Sequence, residues 1–215
     1  MSASIATDKN DKETIVLNAA ISVFLAHGFS AATTDMVQRE AGVSKATMYA
    51  FFPNKEALFE AALKRQCAKL TNLIQTMEVA SGDVRKMLTQ IGTSYLRSVL
   101  EPDGLALYRV AVSEAPRFPD LGRLFYLAGP KTVTSLIASR LSAASQAGEI
   151  DVQAIGVEAA AALFISMVRC EAQLECLTHP GSRPSDAQID TWVHIAVTTF
   201  LAAYGLSGTD LYSLV

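Results

Sequence analysis

The chain is organised around residues 41–52, which read Ala41-Gly42-Val43-Ser44-Lys45-Ala46-Thr47-Met48-Tyr49-Ala50-Phe51-Phe52. Gly42 separates two helical patterns. Because glycine adopts the left-handed backbone at little cost, it is suited to end one helix and begin a tight turn. Ser44 is the predicted N-cap of the next helix, since its hydroxyl can accept a hydrogen bond from a backbone N–H of the first turn. The stretch therefore predicts helix, turn and helix, with Val43 and Met48 directed into a small core.

The remaining face of the second helix carries Lys45, Ala46, Thr47, Tyr49 and Ala50. Lysine and hydroxyl side chains reach phosphate oxygens and base edges, and alanines allow a helix to lie close in a DNA groove. The face has no acid–base pair, so it indicates binding and not catalysis. Taken alone, the stretch fits an ordinary helical hairpin with core aromatics about equally well, and the flanking sequence has to decide between the two.

The flanks carry several spaced motifs. Upstream, an amphipathic pattern ends at His27-Gly28-Phe29, and downstream lies Phe52-Pro53-Asn54-Lys55-Glu56. Together, residues 15–63 resemble the DNA-binding domain of the TetR family of transcriptional regulators. The resemblance implies a three-helix, N-terminal helix-turn-helix domain. The residues expected to contact DNA are Thr33, Thr34, Ser44, Lys45, Ala46, Thr47, Tyr49 and Lys55.

Three positions depart from the family pattern. Gln38 stands where a small alanine is usual, Ala46 replaces a common glycine, and Phe51 occupies a position often held by a phosphate-contacting histidine. These departures leave DNA binding possible, and they leave the operator sequence and the target genes open.

Charge has to be placed locally for this domain to bind DNA. The chain has a net charge of -3, and residues 1–65 contain 7 basic and 7 acidic side chains. Lys55 lies in the first turn of the predicted fourth helix, which Asn54 caps. A lysine there opposes the helix dipole at a cost of roughly a few tenths of a kcal/mol, unless a phosphate lies nearby. The position of Lys55 therefore favours a DNA contact.

The rest of the chain is predicted to be helical as well. Apolar residues recur every three or four positions, which is typical of helices, and 50% of the 215 residues are apolar, enough for a sizeable core. The predicted class is all-α, with about nine or ten helices. We expect a flexible N-terminal arm at residues 1–10, the DNA-binding domain at 11–65, and a helical ligand-binding and dimerisation domain at 66–215.

Two segments after residue 104 extend the resemblance. Leu105-Ala106-Leu107-Tyr108-Arg109 and Glu114-Ala115-Pro116-Arg117-Phe118-Pro119 resemble the C-terminal domain of AefR-like TetR regulators. That subgroup is associated with control of efflux and of quorum-related or stress genes. The resemblance implies a cavity for a small apolar or amphipathic effector, although most apolar positions at helical spacing fill cores by default. The candidate ligand-binding residues are Met87, Tyr95, Tyr108, Arg109, Phe118, Phe125, Tyr126, Met167 and Arg169.

Charged residues within these apolar helices must be paired, exposed or in contact with a ligand, and Arg109, Glu114, Arg169 and Glu171 are such residues. The last two long helices are predicted at about 151–178 and 185–204. The first is apolar nearly all round at 159–168, which favours burial against a second subunit. A homodimer also fits a palindromic double-stranded DNA operator, because two half-sites require two reading helices at a fixed spacing.

Other classes of function have weaker support. The three cysteines, Cys67, Cys170 and Cys176, lack metal-ligand spacing, and we expect reduced, buried thiols in the cytoplasm. The longest apolar run, 159–165, is too short for a membrane span. No cofactor, metal site or catalytic constellation is expected, so a helical enzyme is disfavoured. The predicted function is a ligand-responsive repressor, with activation left open; the alternative is a helical adaptor that acts through protein contacts without DNA.

Overall fold

The computed structural model describes residues 2–77, 82–179 and 181–206, with side chains from Asp11 onwards. It confirms the all-α class. A π-helical turn, Leu127–Lys131, links α7 to α8. The ten α-helices in the described part of the chain are α1 (Ser2–Ala31), α2 (Thr34–Ala41), α3 (Lys45–Phe51), α4 (Lys55–Thr76), α5 (Val84–Leu100), α6 (Pro102–Glu114), α7 (Pro119–Tyr126), α8 (Thr132–Gln146), α9 (Val157–Thr178) and α10 (Asp186–Tyr204).

Helix α1 differs from the prediction at its start. It begins at Ser2, whereas residues 1–10 were expected to form a flexible arm. The sequence has no glycine or proline before Gly28, so nothing in it interrupts the helix. Gly28 breaks the helix as expected, with φ 73° and ψ 174°.

Polar side chains cap the starts of α2, α3 and α4, and a glycine ends α2. The Thr33 hydroxyl accepts a hydrogen bond from the Met36 N–H at 3.2 Å and so caps α2. Gly42 ends α2 with φ 64°. The Ser44 hydroxyl accepts from the Thr47 N–H at 3.1 Å at the start of α3, and Asn54 Oδ1 accepts from the Ala57 N–H at 2.7 Å at the start of α4.

Helix α9 begins at Val157, six residues after the predicted start at about residue 151. Asp151 Oδ1 accepts from the Gln153 N–H at 3.0 Å and closes a local turn instead. The backbone here pairs with the end of α10: the Asp151 N–H donates to the Tyr204 carbonyl at 2.8 Å, and Ile150 bridges to Gly205. This pairing fixes the backbone at residues 150 and 151, a turn follows at residues 153–155, and α9 starts only after Gly156.

The described chain forms two compact units whose limits differ from the predicted boundary at residue 65. The first unit combines Met1–Lys69 with Ala106–Gly129, and the second combines Leu70–Leu105 with Pro130–Val215. Residues 106–129 were expected in the larger domain. They belong to the first unit because their apolar side chains, among them Val110, Phe118 and Leu121, pack against its core.

Aromatic rings hold the core of the first unit together. The centroids of Phe24 and Phe59 lie 4.9 Å apart, and those of Phe29 and Phe59 lie 5.0 Å apart. Phe118 adds an edge-to-face contact with Phe29 at 4.8 Å. Such pairs add about 0.5–1.5 kcal/mol to the burial of the rings. The reading helices α2 and α3 contribute Val37 and Met48, both buried, to the same core.

The core of the second unit is formed mainly by α5, α8, α9 and α10. Phe164 of α9 and Phe200 of α10 are fully buried, and their ring centroids are 5.5 Å apart. Gly92 allows α5 to approach closely, because a Cβ there would lie 3.0 Å from Cγ1 of Val193 and 3.5 Å from Cγ2 of Val168.

We expect Phe164→Ala to lower the free energy of unfolding by about 3–5 kcal/mol, because it leaves a cavity in this core. Urea unfolding followed by circular dichroism, at equal protomer concentrations, measures the change. The matched control is Leu73→Ala, which removes a side chain from an exposed position of α4. A loss below about 1 kcal/mol for Phe164→Ala would show that this core is loosely packed.

One helical segment, Asp11–Ala31, is long and apolar enough to cross a bilayer by length and composition alone. A core helix satisfies the same test. In this structure the segment buries Val16, Ala20 and Phe24 in the core of the first unit.

Candidate nucleic-acid interface

Helix α3 presents most of the predicted DNA-contacting residues on one side. Ser44, Lys45, Ala46 and Tyr49 are exposed, Thr47 is half-buried, and Met48 on the opposite side is buried. The N-terminal end of α2 lies beside them, since Thr34 Oγ1 and the Tyr49 hydroxyl are 3.1 Å apart. The structure thus brings α3 and the start of α2 together in one polar surface, which we call the reading surface (Thr33, Thr34, Ser44–Thr47 and Tyr49).

An acidic residue that the sequence analysis missed also lies at the reading surface. The Lys45 ammonium donates to Asp35 Oδ1 at 2.8 Å. This hydrogen bond and the lysine charge lower the pKa of Asp35, and Asp35 raises the pKa of Lys45 in the same two ways. Both side chains are exposed, so the pair contributes little to stability. The ion pair matters for DNA binding, because the negative charge of Asp35 offsets the positive charge of Lys45 at the reading surface.

We expect Asp35→Asn to strengthen binding to a mixed-sequence DNA duplex by about 3- to 10-fold at low salt. The substitution removes a negative charge beside the phosphates and frees Lys45, so the slope of log K against log salt should steepen by about 1 per protomer. Fluorescence anisotropy over a salt series measures both quantities. Glu60→Gln, which removes an acid of the same unit that pairs with Lys64, is the charge-matched control. Unchanged affinity for Asp35→Asn would place Asp35 away from DNA.

Lys55, the remaining predicted DNA contact, is half-buried and already has partners. Its ammonium donates to the Ser30 carbonyl at 3.3 Å and stands 4.5 Å from the centroid of the Phe29 ring. Burial is the main cause of the lowered pKa of Lys55, and Glu56 and Glu114 oppose it. An ammonium has three N–H donors, so Lys55 keeps donors for a further acceptor.

The nine predicted ligand-binding residues do not gather in the interior of one unit. Met87 and Tyr95 are buried in the core of the second unit, where Met167 packs and Arg169 is half-buried. Tyr108, Arg109, Phe118, Phe125 and Tyr126 belong to the first unit. Phe118 packs on Phe29 there, and the Tyr108 and Phe125 centroids are 6.4 Å apart. The nine residues therefore divide between the two units, and their role in ligand binding stays a prediction.

A groove that the sequence analysis did not identify lies on the second unit. It has a volume of about 450 Å³ and is lined by Met77, Thr89, Gln90, Thr93 and Ser94. Four of its five lining residues lie on α5 and carry hydroxyl or amide groups. Polar side chains on the outer face of a helix usually only meet solvent, so no pattern in the sequence indicated a groove.

The charged residues and the cysteines that the sequence singled out do not form one cluster in the described part of the chain. Glu114 accepts hydrogen bonds from Ser30, whereas Arg109 and Glu171 are exposed. Cys67 and Cys176 are buried, as expected, but Cys170 is exposed, which corrects the expectation of three buried thiols. Burial raises the pKa of the Cys67 thiol to about 11. Within residues 11–77, 82–179 and 181–206, no three His, Cys, Asp or Glu side chains gather to bind a metal.

A helix-turn-helix unit with an exposed lysine- and hydroxyl-bearing helix, joined to a larger helical unit, is the architecture expected of a DNA-binding transcriptional regulator. Residues 16–62 match the family described as "Bacterial regulatory proteins, tetR family". Residues 86–206, more than half of the chain, match "AefR-like transcriptional repressor, C-terminal domain". The chain belongs to the TetR family of transcriptional regulators.

Solved structures and curated relatives agree with this assignment. The "Flavonoid-responsive Regulator FrrA" is 32% identical with a TM-score of 0.77, covering 92% of this chain and 99% of that one. A TetR-family transcriptional regulator from Mesorhizobium loti MAFF303099 shares the fold, with 23% identity, a TM-score of 0.82 and coverage of 92% and 98%. The uncharacterized HTH-type transcriptional regulator YvkB of Bacillus subtilis (strain 168) is 33% identical over 84 residues, 39% of this chain. The match spans 43% of YvkB, less than half of its length.

Proposed function

We propose that this protein is a homodimeric repressor that leaves a palindromic operator when a small apolar or amphipathic molecule binds its helical second unit. The observation that carries the proposal is the exposed reading surface on α3 and the start of α2. The match of residues 86–206 to an AefR-like repressor domain supports repression over activation. The protein acts in the cytoplasm, where its DNA is.

The reading surface favours DNA binding through the placement of its hydrogen-bond donors more than through a net positive charge. Lys45 and the hydroxyls of Thr34, Ser44, Thr47 and Tyr49 supply donors for phosphates and base edges. Asp35 reduces the net positive charge, so one copy is expected to bind weakly. Two copies held at a fixed distance double the contacts, and the operator should consist of two half-sites related by a two-fold axis.

Helices α9 and α10 are proposed as the dimer interface. On α9, the exposed small or apolar residues are Ala159, Ala162, Leu163 and Ser166 before the helix breaks at Cys170, and Leu174 after the break. The two leucines are 40% and 62% exposed. On α10, Ile195 is 57% exposed and lies one turn beyond Thr191. Such spacing of small and apolar side chains suits helix–helix packing, and burying them against a second copy removes them from water.

The effector is proposed to be a planar, hydroxylated aromatic compound. FrrA, which shares 32% of its residues with this chain, is described as flavonoid-responsive. The groove on α5 has the volume of a typical ligand site, and its Met77 thioether and polar side chains suit a ring that carries hydroxyl groups. The effector can act only by its different affinity for the DNA-competent and DNA-incompetent states, whose populations it shifts.

Two linked measurements test the proposal. Gel-shift titrations of the full-length protein with DNA fragments that flank its gene should show a sequence-specific, salt-sensitive complex. A panel of flavonoids should then include compounds that release the DNA and also raise the melting temperature of the free protein. A failure to bind any fragment, or any duplex selected from a random pool, would refute the repressor and favour the adaptor. Binding without release by any compound would refute only the effector class.

A further inference from the structure

Glu114, the last residue of α6, closes the broken end of α1. The Ser30 N–H donates to Glu114 Oε1 at 2.8 Å, and the Ser30 hydroxyl donates to Oε2 at 2.6 Å. Gly28 leaves room for this carboxylate, since a Cβ at Gly28 would lie 3.0 Å from Oε1. Both carboxylate oxygens therefore accept from Ser30, which is 84 positions away in the sequence, and the Phe29 backbone adds a further hydrogen bond to Glu114.

The other side of the same residue is held by Lys55, whose ammonium donates to the Ser30 carbonyl at 3.3 Å. The Phe29 ring lies under the ammonium at 4.5 Å, and Phe118 fixes that ring at 4.8 Å. Glu114 itself is tied to Phe118, because the Phe118 N–H donates to the Glu114 carbonyl at 2.8 Å. Residues 114–118 thus fix both groups that orient the Lys55 ammonium.

The Glu114 side chain is charged, as its hydrogen bonds to Ser30 suggest. Burial raises the pKa of Glu114, but the hydrogen bonds from Ser30 and the charge of Arg117 outweigh it, and the net pKa is lowered. Glu114 is therefore a carboxylate at neutral pH. A hydrogen bond to a carboxylate is stronger than one to a neutral acceptor, so Ser30 is held more firmly than a neutral side chain would hold it.

We infer that Glu114 is a positioning residue for DNA binding, which fixes the Ser30 peptide so that Lys55 is already aimed when it meets a phosphate. This inference rests on the proposed assignment of Lys55 to the DNA interface. A free lysine side chain has to be ordered on binding, which weakens affinity, and ordering it beforehand removes that loss. Glu114 does not touch DNA and acts only through Ser30 and Lys55.

A double-mutant cycle on the full-length protein tests the inference. The ligand is a duplex selected from a random pool, titrated by fluorescence anisotropy. We expect Lys55→Ala to weaken binding about 10-fold and Glu114→Ala about 5- to 10-fold. The double variant should be no more than about 2-fold weaker than Lys55→Ala alone, because Glu114 acts through the missing lysine. The salt slope should become shallower by about 1 per protomer for Lys55→Ala.

Two further variants keep the test independent of folding. Glu114→Gln retains an acceptor for the Ser30 N–H and should recover most of the affinity that Glu114→Ala loses, and Ser30→Ala should weaken binding about 2- to 3-fold. Glu60→Gln, which removes an equal charge in the same unit, should leave affinity unchanged. Far-ultraviolet circular dichroism melts identify any variant that does not fold.

Each outcome separates the inference from the function on which it rests. Losses for Lys55→Ala and Glu114→Ala that multiply in the double variant would overturn the inference, because Glu114 would then act elsewhere. Wild-type affinity for folded Glu114→Gln, Ser30→Ala and Glu114→Ala would overturn it as well. Unchanged binding by Lys55→Ala would remove Lys55 from the DNA interface and the inference with it, but sequence-specific binding by the wild type would still support the proposed repressor.

Discussion

The double variant Lys45→Ala/Tyr49→Ala is expected to lose specific DNA binding by more than about 100-fold while the protein stays folded. Lys45 supplies an exposed ammonium and Tyr49 an exposed hydroxyl on α3, and contacts of this kind with bases and phosphates contribute about 1–3 kcal/mol each. Because a dimer presents both residues twice, the losses combine on one operator. Anisotropy titration with a selected duplex measures the change.

Folding is not expected to suffer, since neither side chain belongs to the buried core of the first unit. The Tyr49 hydroxyl loses its contact with Thr34, and Lys45 loses its pair with Asp35; both are exposed interactions of small value. Lys64→Ala, which removes an equal charge from α4, is the matched control and should bind normally. Retention of specific binding by the double variant would mean that another surface reads the DNA.

The second large effect is expected at the proposed dimer interface. Leu174→Glu and Ile195→Glu each introduce a charge where an apolar side chain of α9 or α10 should be buried against a second copy. The substituted positions are 62% and 57% exposed within one protomer, so folding should be preserved. Light scattering should show a shift from a dimer to a 23.0 kDa monomer. Operator affinity should fall by more than about 100-fold, since the second reading surface is no longer tethered.

The matched control places the same charge elsewhere in the second unit. Leu73→Glu alters an exposed leucine of α4 that lies outside α9 and α10. It should remain dimeric and bind DNA normally. If Leu174→Glu and Ile195→Glu stay dimeric as well, the subunits associate through another face, and the assignment of α9 and α10 would be wrong.

The helix-turn-helix could be predicted from the sequence because its signals are local. Gly42 ends α2, Ser44 caps α3 and Asn54 caps α4, and each acts on residues within one turn. The all-α class follows in the same way from helical spacing. The family assignment rested on residue types at fixed spacing, and residues 16–62 and 86–206 confirm it.

The features that the sequence could not predict depend on residues far apart in the chain. Phe118 packs on Phe29, and Glu114 binds Ser30, so residues 106–129 join the first unit and not the second. Asp35 meets Lys45 only because of the way α2 and α3 cross. The late start of α9 reflects backbone pairing between Asp151 and Tyr204. None of these contacts leaves a periodic pattern.

Two reading surfaces, held at one spacing, are expected to bind one operator. The most direct measurement compares a selected palindromic duplex with the same duplex after insertion of 5 bp between its half-sites, which rotates one half-site by about half a turn. We expect one dimer per intact duplex and a loss of affinity of at least about 100-fold after the insertion. Equal affinity for the two duplexes would contradict it, because the protomers would then read DNA independently.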